Sequence, residues 1–112
     1  MPSDSMAQRK ILLLGRKGIV VDDAKAKLNN PNLEIYGGTG MDDVRTVFSS
    51  HADIKHVFMG AGIDIETRLE IIREVCRLSS TTSVHMKDVT SGPEGFLPFV
   101  KAVLEGFTRT EA

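Results

Sequence analysis

The 112-residue sequence predicts one doubly wound α/β domain: a four-stranded, all-parallel sheet in the order 2-1-3-4 with helices on both faces. Three observations predict it. Four short apolar runs are each followed by a glycine-containing turn and then by apolar residues at helical spacing, the alternation that builds a parallel sheet between helical layers. Two of the runs, 11–14 and 57–59, are apolar throughout, as central strands buried on both faces are; the other two alternate, as half-exposed edge strands do. Third, the length and the 41% apolar and 26% charged content suit a single globular domain.

The first strand covers residues 10–14. A helix over about 20–29 follows, with Val21, Ala24 and Leu28 on one face, stopped by Asn29, Asn30 and Pro31. The second strand, 33–36, sets Leu33 and Ile35 against Glu34 and Tyr36, and runs into Gly37-Gly38-Thr39-Gly40. Its helix spans 41–50, with Met41, Val44 and Phe48 inward and Thr39 with Asp42 as a capping-box-like start. The third strand, 54–59, ends in Gly60-Ala61-Gly62. The helix at 64–79 is expected to bury Ile65, Leu69, Ile72 and Cys76, with Ile71, Val75 and Leu78 widening that face. The fourth strand, 83–89, sets Val84 and Met86 against Ser83, His85 and Lys87. Pro98 argues for a short turn at 93–96 and a regular helix from 97 to about 107. Residues 1–9 read as a disordered lead-in, 10–108 as the domain and 109–112 as a tail.

Composition narrows the function. Fourteen basic and fifteen acidic residues leave a net charge of −1, without the basic excess of a nucleic-acid or membrane-surface binder. Cys76 is the one cysteine, so no intrachain disulfide forms, and the longest early apolar run of four residues is too short for a membrane span or a signal core. The expectation is a cytoplasmic protein. Phe96, Phe99 and Phe107, with Leu97, Val100, Val103 and Leu104, cover more than one face of the last helix, which predicts a homodimer through that helix or the fourth-strand edge.

In this fold a ligand sits beyond the carboxyl ends of the strands, where the order reverses, here between strands one and three. That brings Gly15, Arg16, Lys17 and Gly18 towards Gly60 and Gly62, flanked by Gly38 and Thr39 after the second strand and Asp88 after the fourth. His85 and Lys87 share a strand face and, with Asp88, would form a proton-transfer group at the rim. The same glycines also serve four tight strand-to-helix turns. Asp22, Asp23, Asp42, Asp43, Asp64, Glu66 and Glu94 are expected at helix starts, where they complement the dipole and occupy the end a phosphate would use. The histidines lack metal-ligand spacing, and no metal site is expected.

The run Gly15-Arg16-Lys17-Gly18-Ile19 resembles the first loop of short-chain dehydrogenases and other Rossmann-like nucleotide binders, over residues 10–28 and 57–62. The resemblance implies a nucleotide as ligand. The chain departs from that pattern: Val20 stands where a third glycine would be sought, Gly37 and Gly38 replace a ribose-binding acid, and the only tyrosine, Tyr36, is followed four residues on by Gly40 rather than lysine. The strand order is also similar to flavodoxin-like proteins and to response-regulator receivers, but Gly15 and Gly60 stand where receivers carry acids. The leading expectation is a noncatalytic binding or regulatory module with a small-molecule pocket at the Gly-rich loops. The second is a minimal nucleotide-binding, NAD(P)-like enzyme or enzyme subunit, and the third a structural dimer partner.

Overall fold

The computed structural model describes residues 9–90 and 92–111; most of the expected lead-in and part of the tail lie outside them. The elements are β1 (Arg9–Leu14), α1 (Gly18–Leu28), β2 (Leu33–Gly38), α2 (Met41–Ser50), β3 (His56–Met59), α3 (Ile65–Leu78), β4 (Ser83–Met86), a 3-10 turn (Pro93–Gly95) and α4 (Phe96–Glu111). The sheet is all parallel in the order β2-β1-β3-β4, with Ile11 between Ile35 and His56, and Phe58 opposite His85. Order and class agree with the sequence expectation.

Pleating divides the core into two layers. Ile11, Leu13 and Phe58 point to one face, where Val21, Ala24 and Leu28 of α1 and Phe96 and Val100 of α4 cover them. Leu12, Leu14, Val57 and Met59 point to the other, under Val44 and Phe48 of α2 and Ile71 and Val75 of α3. The inward faces expected for α1 and α2 are therefore the ones buried. Gly37 lets α1 lie close on the sheet: a Cβ there would stand 2.6 Å from Val21 Cγ1.

Several boundaries differ. β1 starts at Arg9, β2 runs on to Gly38, and β3 and β4 are shorter than expected because only residues 56–59 and 83–86 find ladder partners. α1 begins at Gly18, not 20, so Asp22 and Asp23 lie a turn inside it and its first turn holds no acid. Gly40, rather than Thr39, is the N-cap of α2, and Asp43, not Asp42, reaches back to the Thr39 N–H at 2.7 Å. Pro98 sits inside α4, in the first turn, where no intrahelical N–H bond is lost.

The largest correction concerns α3. Its buried side chains are Arg68, Ile71 and Val75; Ile65 and Leu69 are 49% and 50% exposed, Ile72 is half-buried and Cys76 is exposed. The helix carries two apolar stripes, and the sheet takes the one containing Arg68. On its α2 side Glu74 accepts from Arg45 at 3.1 Å and from Arg77 at 2.8 Å, and these guanidiniums hold its carboxyl down at about 2. By contrast, the apolar side chains of α4 are used within the chain: Leu97, Phe99, Val103 and Leu104 pack on the core and Phe107 stacks on His56. No helix among the described residues is long and apolar enough to cross a membrane.

Asp64 caps α3, accepting from the Thr67 N–H at 3.1 Å and the Thr67 hydroxyl at 2.7 Å. These bonds hold its carboxyl below the ordinary 3.8, so the stabilisation is full above that pH and fades as pH falls through the lowered value. Asp64→Ala is expected to lower the thermal midpoint at pH 7, with the gap from the native chain closing in acid; an equal gap at both pH values would mean that the charge contributes nothing.

Candidate functional site

Beyond the carboxyl ends of β1 and β3, at the reversal of strand order, a cavity of ≈ 400 Å³ opens between the loops. Gly15, Arg16 and Lys17 form one wall and Gly60, Ala61 and Gly62 the next. Lys87, Val89 and Gly92 close the β4 side, and Val20 and Phe96 supply apolar surface. The two glycine loops touch: a Cβ on Gly62 would lie 3.0 Å from Arg16 Cβ, and one on Gly60 would lie 3.6 Å from the Leu14 carbonyl oxygen. Gly92 has a φ of +74°, which fits glycine and lets the segment after β4 turn back over the cavity towards α4.

The charge of this wall is one-sided. Arg16, Lys17 and Lys87 line it, and no carboxylate stands among the lining residues. Lys87 is only 2% exposed. Its N–H continues the ladder to the Met59 carbonyl at 2.9 Å, its carbonyl accepts from Arg68 Nη1 at 3.1 Å, and its Nζ donates to the Asp88 carbonyl at 2.9 Å. Arg68 is 6% exposed, and its Nε has no acceptor. Neither cation enters a salt bridge among the described residues. Burying a charge without a counter-charge is costly, so Lys87, which lines the cavity, is a group that a bound anion would compensate. The acid-free first turn of α1 adds its positive end to the same corner.

Of the residues singled out in the sequence, Gly15, Arg16, Lys17, Gly60, Gly62 and Lys87 meet in this cavity. The others do not line it. Gly18 opens α1 in an exposed position, and Gly38 ends β2 against Asp43. The Thr39 hydroxyl is also turned to Asp43, and Asp88 is exposed. His85 lies elsewhere, further back along β4, so the expected His85–Lys87–Asp88 proton-transfer group is not assembled. Its Nε2 stands 2.9 Å from Ser83 Oγ, which in turn lies 2.6 Å from Nδ1 of His56. Phe58 stacks on His85 at 5.1 Å and Phe107 on His56 at 4.3 Å, and burial pushes the His85 pKa down. His56 is 6% exposed because β3 begins with it and Phe107 of α4 stacks on it.

Phe96 as a wall of this site, and Arg68 as the buried donor to the Lys87 carbonyl, were not anticipated from the sequence. An arginine on an amphipathic helix ordinarily reads as solvated, and its burial depends on a carbonyl nineteen residues away in the chain. Among the described residues no group of three or more His, Cys, Asp or Glu side chains is placed to hold a metal. The chemistry this set offers is electrostatic: charge-assisted hydrogen bonds from three cations to one anionic group, beside a small apolar wall. Comparison of the chain with protein-family models, with curated proteins and with solved structures gave no match.

Proposed function

We propose that the protein is a small binding or regulatory module whose cavity at the β1–β3 crossing takes a compact anionic molecule. The ligand class is a phosphate or carboxylate group on a small apolar body. The observation that carries this reading is the buried cation Lys87, with no salt-bridge partner among the described residues, in a cavity that Arg16 and Lys17 also line. Val20, Val89 and Phe96 would meet the apolar part. A volume of ≈ 400 Å³ is at the small end for ligand pockets and suits a compact molecule better than a dinucleotide. The lone Cys76 fits a reducing compartment, and we place the module in the cytoplasm.

A mononucleotide is the second reading, favoured by the free first turn of α1. Against its ribose stands the end of β2, where Gly37 and Gly38 offer no acid. Calorimetric titration with inorganic phosphate, a small phosphorylated carboxylic acid, AMP and NADH separates the readings. Binding of the compact anions is expected, with affinity lowered about tenfold by a combined Arg16→Ala and Lys17→Ala change, two exposed charges being worth about 0.2–1 kcal/mol each. Unchanged affinity in a folded double variant would remove the anion site from this cavity.

A further inference from the structure

We propose that the chain forms a twofold homodimer through α3, packed antiparallel against its own copy along the open edge of β4. This rests on a different surface from the ligand cavity. Ile65, Leu69, Ile72 and Cys76 follow one another at spacings of four, three and four, the seam spacing of two packed helices, and Ile65, Leu69 and Cys76 are exposed while Ile72 is half-buried at the margin of the core. At about 100° per residue the stripe lies roughly opposite Glu74 around the helix. Glu74 faces α2, so the stripe faces the other way, over the free edge of the sheet. Met86, on the same sheet face as Val84, is 40% exposed at that edge and extends the patch.

The flanking charges select a second copy as the occupant. Glu66 and Arg73 are exposed, seven residues apart along one side of the stripe, and neither enters a salt bridge among the described residues. A twofold axis near the middle of α3 reverses the partner helix. Glu66 then faces the partner's Arg73 and Arg73 faces the partner's Glu66, while Ile65 meets the partner's Cys76 and Leu69 the partner's Ile72. A parallel partner would set like charges opposite each other. The helix is 14 residues long, about 21 Å, so the contact spans three to four turns, and the two β4 edges are brought alongside.

Sedimentation equilibrium of the full chain over a wide concentration range tests this. The native chain is expected to dimerise, and Leu69→Glu to stay monomeric with the thermal midpoint the native chain shows when diluted to the monomer, because Leu69 is half-exposed in the single chain. Arg73→Glu should weaken the dimer about tenfold, two rim pairs being affected by symmetry, and adding Glu66→Arg should restore it. Should Leu69→Glu misfold, the charge exchange decides alone, since both residues are exposed. Under mild oxidation Ile65→Cys should give a covalent dimer through the partner's Cys76 that Cys76→Ser abolishes. A native chain that is monomeric throughout, a Leu69→Glu dimer, an exchange that fails to restore association, or native chains crosslinked through Cys76 alone would each overturn the proposal.

Discussion

Lys87→Met is expected to give a protein that is more stable than the native chain without ligand and that no longer binds anions. Lys87 is 2% exposed, and its ammonium donates to one neutral acceptor, the Asp88 carbonyl at 2.9 Å. Arg68 lies behind it, donating to the Lys87 carbonyl rather than to a carboxylate. Holding a buried charge with so little compensation opposes folding. Replacing buried ionic groups by apolar ones of similar volume is often neutral or stabilising by about 1–4 kcal/mol. Methionine keeps the unbranched length and flexibility needed to fill the same wall. Loss of the buried charge facing a bound anion should cost about 2–5 kcal/mol of affinity, roughly 30- to 5,000-fold. Urea denaturation gives the first quantity and titration with the anion the second. If Lys87→Met were instead destabilised by several kcal/mol, the ammonium would be a structural group and the main support for the anion site would be gone.

The contrast between the two cations and the rest of the fold shows what a sequence can carry. Strand order was legible because Ile11–Leu14 and Val57–Met59 are apolar throughout, whereas Glu34, Tyr36, Ser83 and His85 interrupt the outer strands. The place of the site followed from that order, and with it the meeting of Gly15–Lys17 with Gly60–Gly62. The buried face of α3 was not legible. Two apolar stripes share that helix, and the more hydrophobic one, with Ile65 and Leu69, lies outside while the one interrupted by Arg68 lies inside. Helical periodicity fixes the width of a stripe and not which stripe meets the sheet. That choice follows from partners distant in sequence: the Lys87 carbonyl for Arg68, and Arg45 of α2 for Glu74. His85 misleads for a similar reason. Alternation places it on one face with Lys87, but only the fold shows that α4 covers that face at His85, leaving Lys87 at the cavity.

Phe58→Ala should remove about 3–5 kcal/mol of stability, a large part of the roughly 5–15 kcal/mol typical of such a domain. Phe58 is fully buried in the central strand β3, stacks on His85 at 5.1 Å and meets Phe99 edge-on at 6.1 Å. The truncation therefore opens a void between the sheet and α4 and also changes how stability depends on pH. Burial lowers the His85 pKa below its ordinary 6.5. The unfolded chain then takes up the proton at higher pH than the folded one. Stability from this group is full above pH 6.5 and declines as pH falls from 6.5 to the lowered folded value, below which the loss is complete. Water entering the void beside His85 relieves that burial and moves its pKa back up, so the acid-side decline should be shallower in Phe58→Ala. Urea midpoints at pH 7.5 and 5.5 measure it, with His85→Gln as the reference in which this contribution is absent. A native-like pH dependence in Phe58→Ala would show that the void stays dry. A native-like dependence in His85→Gln would assign the acid sensitivity to groups other than the imidazole under α4.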